Sequence, residues 1–206
     1  MTTEQIGDIT LTAEVVSEMS NNVYLLERGM DRVLIDAANE GDRLLEVIDG
    51  RPVQTIITTH RHPDHIQALS QLAIATGARL VCGTPDKEAI DQATDTSSDP
   101  VWTGDVVTTG SLSLEVIGLV GHTPGAITLV LRVDGEPVRL FTGDSLFPGG
   151  PGKTNSPEDF TTLMDDLESR IFADFDDDAV VLPGHGDRTT LGAERPSLGE
   201  WRERGW

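Results

Sequence analysis

Three imidazoles and a carboxylate fall within six residues of this chain, at His60, His62, Asp64 and His65. Only five histidines are present in all, so the fold has to be one that gives this segment a use. The residues just before it, Gln54 to Thr58, are short, β-branched and preceded by Pro52, which predicts a buried strand. The residues after it place apolar side chains at Ile66, Leu69, Leu72, Ala73 and Ala75, which predicts a helix stopped by Gly77. The cluster therefore sits on a strand-to-helix loop, held by rigid neighbours yet reachable. In extended backbone, residues two apart point the same way, so His60 and His62 can share one metal ion. Pro63 disfavours helix in the residue before it and is tolerated at a helix start. Asp64 and His65 then open the helix and face another direction, which suits a second ion. Imidazole and carboxylate are ligands of zinc and of ferrous iron. A merely solvated histidine loop is the competing reading. It leaves unexplained why His122 and His185 also lie in glycine-flanked turns.

The rest of the chain reads as strands and helices that end at those turns. Residues 9–36 predict a strand meander with a turn at Gly29, ending on Asp36. Residues 40–49 predict a short helix, 79–82 a strand, and Pro85 to Ala93 another helix, followed by a polar loop from Thr94 to Pro100. Two strands are expected at 105–109 and 113–119. A hairpin around Asp134-Gly135 has a second strand that delivers Asp144. Phe147 to Pro157, rich in glycine and proline, predicts a loop beside Asp144 that could wall a substrate. Phe160, Leu163, Met164, Leu167 and Ile171 have helical spacing over 157–172. The run 179–182 is strand-like and leads into Pro183-Gly184-His185. The last residues, Pro196 to Trp206, are expected to dock through Trp201 and Trp206.

At 206 residues the chain can bury a sizeable core, and the spread of the histidine turns predicts one domain over 1–206. The formal charge of −20 disfavours nucleic acid and anionic membrane as partners. Cys82 is the only cysteine. A disulfide framework is therefore excluded, which fits a reducing cytoplasm, and the residue reads as a small buried side chain. The first residues show neither the basic nor the apolar region of a signal peptide.

His60-x-His62-x-Asp64-His65 resembles the HxHxDH signature of the metallo-β-lactamase superfamily. Gly121-His122-Thr123-Pro124-Gly125, Thr142-Gly143-Asp144 and Pro183-Gly184-His185-Gly186 are similar to further family motifs and come in the family's order. Gly143-Asp144-Ser145-Leu146-Phe147, the run Gly149 to Thr154, and Thr189 to Arg195 resemble the small glyoxalase II-like thioesterases. The resemblance implies a four-layer αββα sandwich of the mixed α/β class. It implies that His60, His62 and His122 hold one metal, that Asp64, His65 and His185 hold the other, and that Asp144 bridges. Two zinc ions per chain are expected, with iron or manganese admitted at either position. The nucleophile is then a hydroxide held between the metals, so Asp64 and Asp144 count as catalytic as well as ligating. Lys153, one of two lysines, stands where the family has a basic residue that contacts a carboxylate of the thiol carrier. Asp36 stands where the family has an aspartate that braces the metal loop.

The expected function is hydrolysis of a small thioester of the hydroxyacyl-thiol type. A thiolate leaving group, with a free pKa of about 8.5, needs little protonation, so the lack of an obvious extra general acid suits a thioester better than an amide. Only a short segment follows His185, which implies that the helical glutathione-gripping domain of larger glyoxalases is missing. Tyr24, the only tyrosine, lies far upstream of the positions where those enzymes and the lactone-cleaving relatives use one. The thiol carrier is thus left open. The partner expected is a small molecule, and a homo-oligomer is compatible with the sequence. The alternative is an oxidoreductase like the persulfide dioxygenases, with one iron on two histidines and an aspartate. A lactonase or β-lactamase-type hydrolase ranks below both.

Overall fold

The computed structural model describes residues 1–205. Its first sheet has seven strands in sequence order. They are β1 (Thr2–Ile6), β2 (Ile9–Val16), β3 (Asn21–Arg28), β4 (Asp31–Ile35), β5 (Thr55–Thr58), β6 (Arg79–Gly83) and β7 (Asp99–Val101). The first four pair antiparallel and the last four parallel. Parallel strands need crossovers, and α1 (Gly41–Ile48), α2 (Leu69–Thr76) and α3 (Lys87–Thr94) supply them. The second sheet contains β8 (Val106–Thr109), β9 (Leu112–Gly118), β10 (Ile127–Leu131) and β11 (Arg139–Gly143). A two-residue pair, β12 (Leu146–Phe147) and β13 (Gly150–Pro151), stands apart, and α4 (Pro157–Asp166) follows. The second sheet is completed by β14 (Val180–Pro183), parallel to β11, and β15 (Thr189–Thr190). The short helices α5 (Leu191–Glu194) and α6 (Leu198–Arg204) end the described chain.

Three apolar layers separate four layers of structure. Between the sheets, Leu26, Ile35, Ile57 and Val81 meet Leu114, Val116, Leu129 and Phe141. Outside the first sheet, Leu34, Ile56 and Cys82 pack under Leu44, Leu69, Leu72 and Ile90 of its helices. Outside the second, Val130, Leu140 and Val181 pack under Leu163, Met164, Leu167 and Trp201. This is the αββα sandwich. Strands covered on both faces are buried throughout, as in β5 and β10, whereas β9 alternates because one of its faces meets solvent.

The expected elements are present with five differences. The residues before β2 form an edge strand, β1. Part of the expected polar loop at 94–100 is the edge strand β7, where Pro100 is tolerated because an edge position has no neighbour needing its missing N–H. The glycine-rich run after Asp144 is not wholly irregular, since it contains the β12–β13 pair. The helix after the histidine cluster starts at Leu69 rather than Ile66. Pro63–His65 forms a separate 3₁₀ turn, and the amides of Gln67 and Ala68 donate to Ala38 and Ala37 instead of to a helical turn. The long helix also widens into a π-helical stretch at Leu167–Phe172. Trp201 is buried as expected; the expectation for Trp206 lies outside the described residues.

Candidate metal centre

Three strand ends and one turn meet at one edge of the sandwich. The Thr59–His65 loop leaves the end of β5, Asp144 follows β11, and His185 follows β14. His122 lies in the turn between β9 and β10. The amide of Ile127 at the start of β10 donates to Thr59 O at 2.9 Å, fastening the second sheet to the histidine loop. Gly184 is required by space, because a Cβ there would stand 2.3 Å from Asp144 Oδ1 and 2.7 Å from the His65 ring.

The donors form two groups, His60, His62, His122 and Asp144 in one and Asp64, His65 and His185 in the other. Within each, the candidate ligand atoms lie within 4.8 Å of one another. Asp144 faces both. Its Oδ2 is 3.5 Å from His122 Nε2 and 3.4 Å from His185 Nε2, and its Oδ1 is 3.4 Å from His65 Nε2.

Hydrogen bonds behind the rings fix which nitrogen points inward. His65 Nδ1 donates to Asp36 Oδ2 at 2.8 Å. His122 Nδ1 donates to the Lys153 carbonyl at 2.7 Å, and His185 Nδ1 to the Met19 carbonyl at 2.9 Å. Thr59 Oγ1 donates to Asp36 Oδ2, which leaves it to accept from His60 Nδ1 at 3.1 Å. In this network four Nε2 atoms face the centre, joined by Nδ1 of His62. These nitrogens crowd one another, with His60 Nε2 3.1 Å from His62 Nδ1 and 3.3 Å from His122 Nε2. His65 Nε2 and His185 Nε2 are 3.1 Å apart. Asp144 Oδ1 is buried with no hydrogen-bond partner among the described residues. Converging ring nitrogens and an orphaned carboxylate oxygen are a donor set that fits divalent cations.

The electrostatics differ between the two groups. Burial lowers His60 well below the usual imidazole range, and His62 and His122 follow it down for the same reason. Burial also opposes a charge on His65, but Asp36 and Asp144 outweigh it and hold that ring up at about 10. His185 is raised by Asp144 against the effect of burial. Burial would raise Asp144, yet the His185 and His65 rings beside it keep it far below the carboxylate range. Asp64 is likewise held low by the Asn21 amide against burial.

The metallo-beta-lactamase superfamily model matches residues 16–185. The chain belongs to this superfamily. The hydroxyacylglutathione hydrolase GloC of Haemophilus influenzae is 30% identical over 183 residues, 80% of this chain and 84% of that protein. Among solved structures, ETHE1 from Myxococcus xanthus superposes with a TM-score of 0.78 at 28% identity, covering 94% of this chain and 86% of that one. TTHA1623, solved in a di-iron-bound form, gives 0.72 at 27% identity, covering 89% and 96%.

The structure brings all seven donors named from the sequence of this superfamily member to one place. Asp36 sits behind them at φ 60°, a costly conformation for a residue other than glycine. Its Oδ1 accepts from Thr59 N at 2.7 Å and its Oδ2 serves Thr59 Oγ1 and His65. Lys153 lies on the adjacent loop with its side chain exposed and, among the described residues, no ion pair. Its carbonyl, rather than its ammonium, touches the donor group. Asn21, which sequence reasoning missed, opens β3 and donates to Asp64 Oδ2 at 2.9 Å and to Asp64 O at 3.2 Å. Two asparagines in succession at the head of an apolar strand were the available signal. Tyr24, distant in sequence, is close in space. Its hydroxyl donates to Pro183 O at 2.7 Å, so it supports the strand that carries His185 and turns away from the donors.

Proposed function

We propose that the chain is a dinuclear metal-dependent hydrolase of a small thioester. The observation that carries this reading is Asp144, whose carboxylate stands between two donor groups, each with enough ligands for its own ion. Metal ions bound there would supply Lewis acidity to a substrate carbonyl and lower the pKa of a water from 15.7 toward about 7. The protein's part is to keep the donors in register. His60, His62 and His122 are held neutral, the form that donates a lone pair, and Asp144 is held ionised. The Phe147 ring, 6.4 Å from that of His185, walls the approach. Lys153 stands exposed on the same loop, placed to meet a carboxylate on the departing thiol. The likeness to GloC supports a hydroxyacyl thioester as substrate. We take zinc as the native metal, a small molecule as the partner and the cytoplasm as the compartment. Among the described residues no helix is long and apolar enough to cross a membrane.

A second reading is an iron-dependent persulfide dioxygenase, favoured by the likeness to ETHE1. Elemental analysis of protein purified without added metal separates the two. Two ions per chain, with thiol release from hydroxyacyl thioesters, are expected. One iron per chain with oxygen uptake on persulfide would establish the second reading instead.

A further inference from the structure

Asp36 braces the group around His65, and the opposite group has a buried carboxylate of its own. Asp86 lies in the turn between β6 and α3 and is fully buried, at 0% exposure. It belongs to neither donor group. Its place just before Lys87 suggests a helix cap, but its side chain accepts no hydrogen bond from α3. It reaches away from the helix instead. Oδ2 accepts from the Arg61 amide at 3.1 Å and from the Thr123 hydroxyl at 2.6 Å. Oδ1 accepts from the Gly125 amide at 3.0 Å and lies 3.6 Å from Nε of Arg61. Arg61 stands between His60 and His62, and Thr123 follows His122. One carboxylate therefore ties together two ligand loops that are distant in sequence. The contact leaves no slack, since a Cβ on Gly125 would stand 2.3 Å from the Asp86 amide nitrogen.

A buried carboxylate costs free energy unless its partners compensate, so its retention at this spot calls for a geometric reason. We propose that Asp86 is a positioning residue that builds the three-histidine position as a unit by locking the His60–His62 loop to the His122 turn. The proposal rests on the reading that these rings hold a metal ion, and it is independent of which substrate is cleaved. It gives the His60, His62 and His122 side a brace of its own, Asp86, whereas Asp36 serves His65 directly and His60 through Thr59. Loss of Asp86 should therefore weaken the three-histidine position and spare the other.

The test is zinc titration of metal-free protein against a competing chelator, followed through the imidazole NMR signals of the five histidines, in wild type and in Asp86→Asn. The amide keeps the acceptor for Gly125 but turns an N–H toward the Arg61 N–H, so the lock is broken at nearly constant volume. Zinc affinity read at His62 and His122 should fall 10-fold or more, the scale on which outer partners act. Affinity read at His65 and His185 should stay within 2-fold of wild type. Asp36→Asn should instead weaken both positions, because Asp36 holds His65 directly and His60 through Thr59. Equal weakening of both positions by Asp86→Asn, or no change at either, would overturn the proposal. If Asp86→Asn yields no folded protein, Thr123→Val removes one bond to the same carboxylate and is read by the same criteria, with a smaller shift in the same direction. A wild-type protein that takes up no zinc would remove the metal reading itself, and the proposal with it.

Discussion

Lys153 shows how one residue can carry two separable functions. Its carbonyl orients His122, while its ammonium is exposed to whatever occupies the site. Lys153→Ala keeps the first and deletes the second. Metal content should be unchanged, and KM for a carboxylate-bearing thioester should rise by more than kcat falls, because the lost contact is remote from the reacting bond. Steady-state kinetics checks this, and an unchanged KM would withdraw the role. Cys82 is the opposite case, a reactive residue type with nothing to do. It is buried under the helices of the first sheet, and burial pushes its thiol up to about 11. An aromatic disulfide reagent at pH 8 should leave it untouched in the native protein and titrate it fully in denaturant. The folded pKa lies above the unfolded value of about 8.5. The stability tied to the buried neutral thiol is thus present below that value and lost as pH rises through about 11. Cys82→Ala should flatten that alkaline limb in denaturant titrations.

At the scale of elements, the parts that carry no donor hold the donors still. Ser156 caps α4 by accepting from the Asp159 amide at 3.0 Å, and Pro157 takes the first helical position. Ser156→Ala should cost about 1 kcal/mol of stability by chemical denaturation. Glu194 of α5 is buried and clasps the β12–β13 pair, accepting from the Gly149 amide at 2.8 Å and from the Thr189 hydroxyl at 2.7 Å. The loop between β12 and β13 is therefore fixed to the segment after His185. Trp201 of α6 closes the outer layer of the second sheet, with its ring 6.2 Å from that of Phe172. Trp201→Ala should destabilise the protein by about 3–5 kcal/mol while leaving its metal stoichiometry intact, as melting and elemental analysis would show.

For the whole molecule, metal binding and folding should be linked. The ligand loops come from both sheets, so an ion bound to the native arrangement finds no equivalent in the unfolded chain. A ligand at a hundred times its Kd adds about 2.7 kcal/mol. A chelator in excess should therefore lower the melting temperature, and zinc added back should restore it in proportion to occupancy. The acidic surface would be partly offset by bound cations. Melting temperature should accordingly rise with salt more in the metal-free protein than in the loaded one, as screening relieves the self-repulsion.

Much of this was legible in the sequence because it is local. Alternation and β-branching mark strands, and glycine marks turns. His60 and His62 are two residues apart on one loop, so their shared direction follows from backbone geometry alone. The four-layer fold and the seven donors come from motifs with a fixed order along the chain, which a linear string preserves. What only the tertiary structure decided are the pairings between segments far apart in sequence. Asn21 meets Asp64 across 43 residues, Tyr24 meets Pro183 across 159, and Asp86 meets Thr123 across 37. Each of these side chains would be unremarkable at its own position, an asparagine at a strand start or an aspartate before a helix. The role of each is set by which loop the packing of two sheets lays against it, and no local preference encodes that. The start of α2 was misplaced for the same reason. Helical spacing begins at Ile66, but the amides that would have opened the helix found carbonyls on the segment after β4.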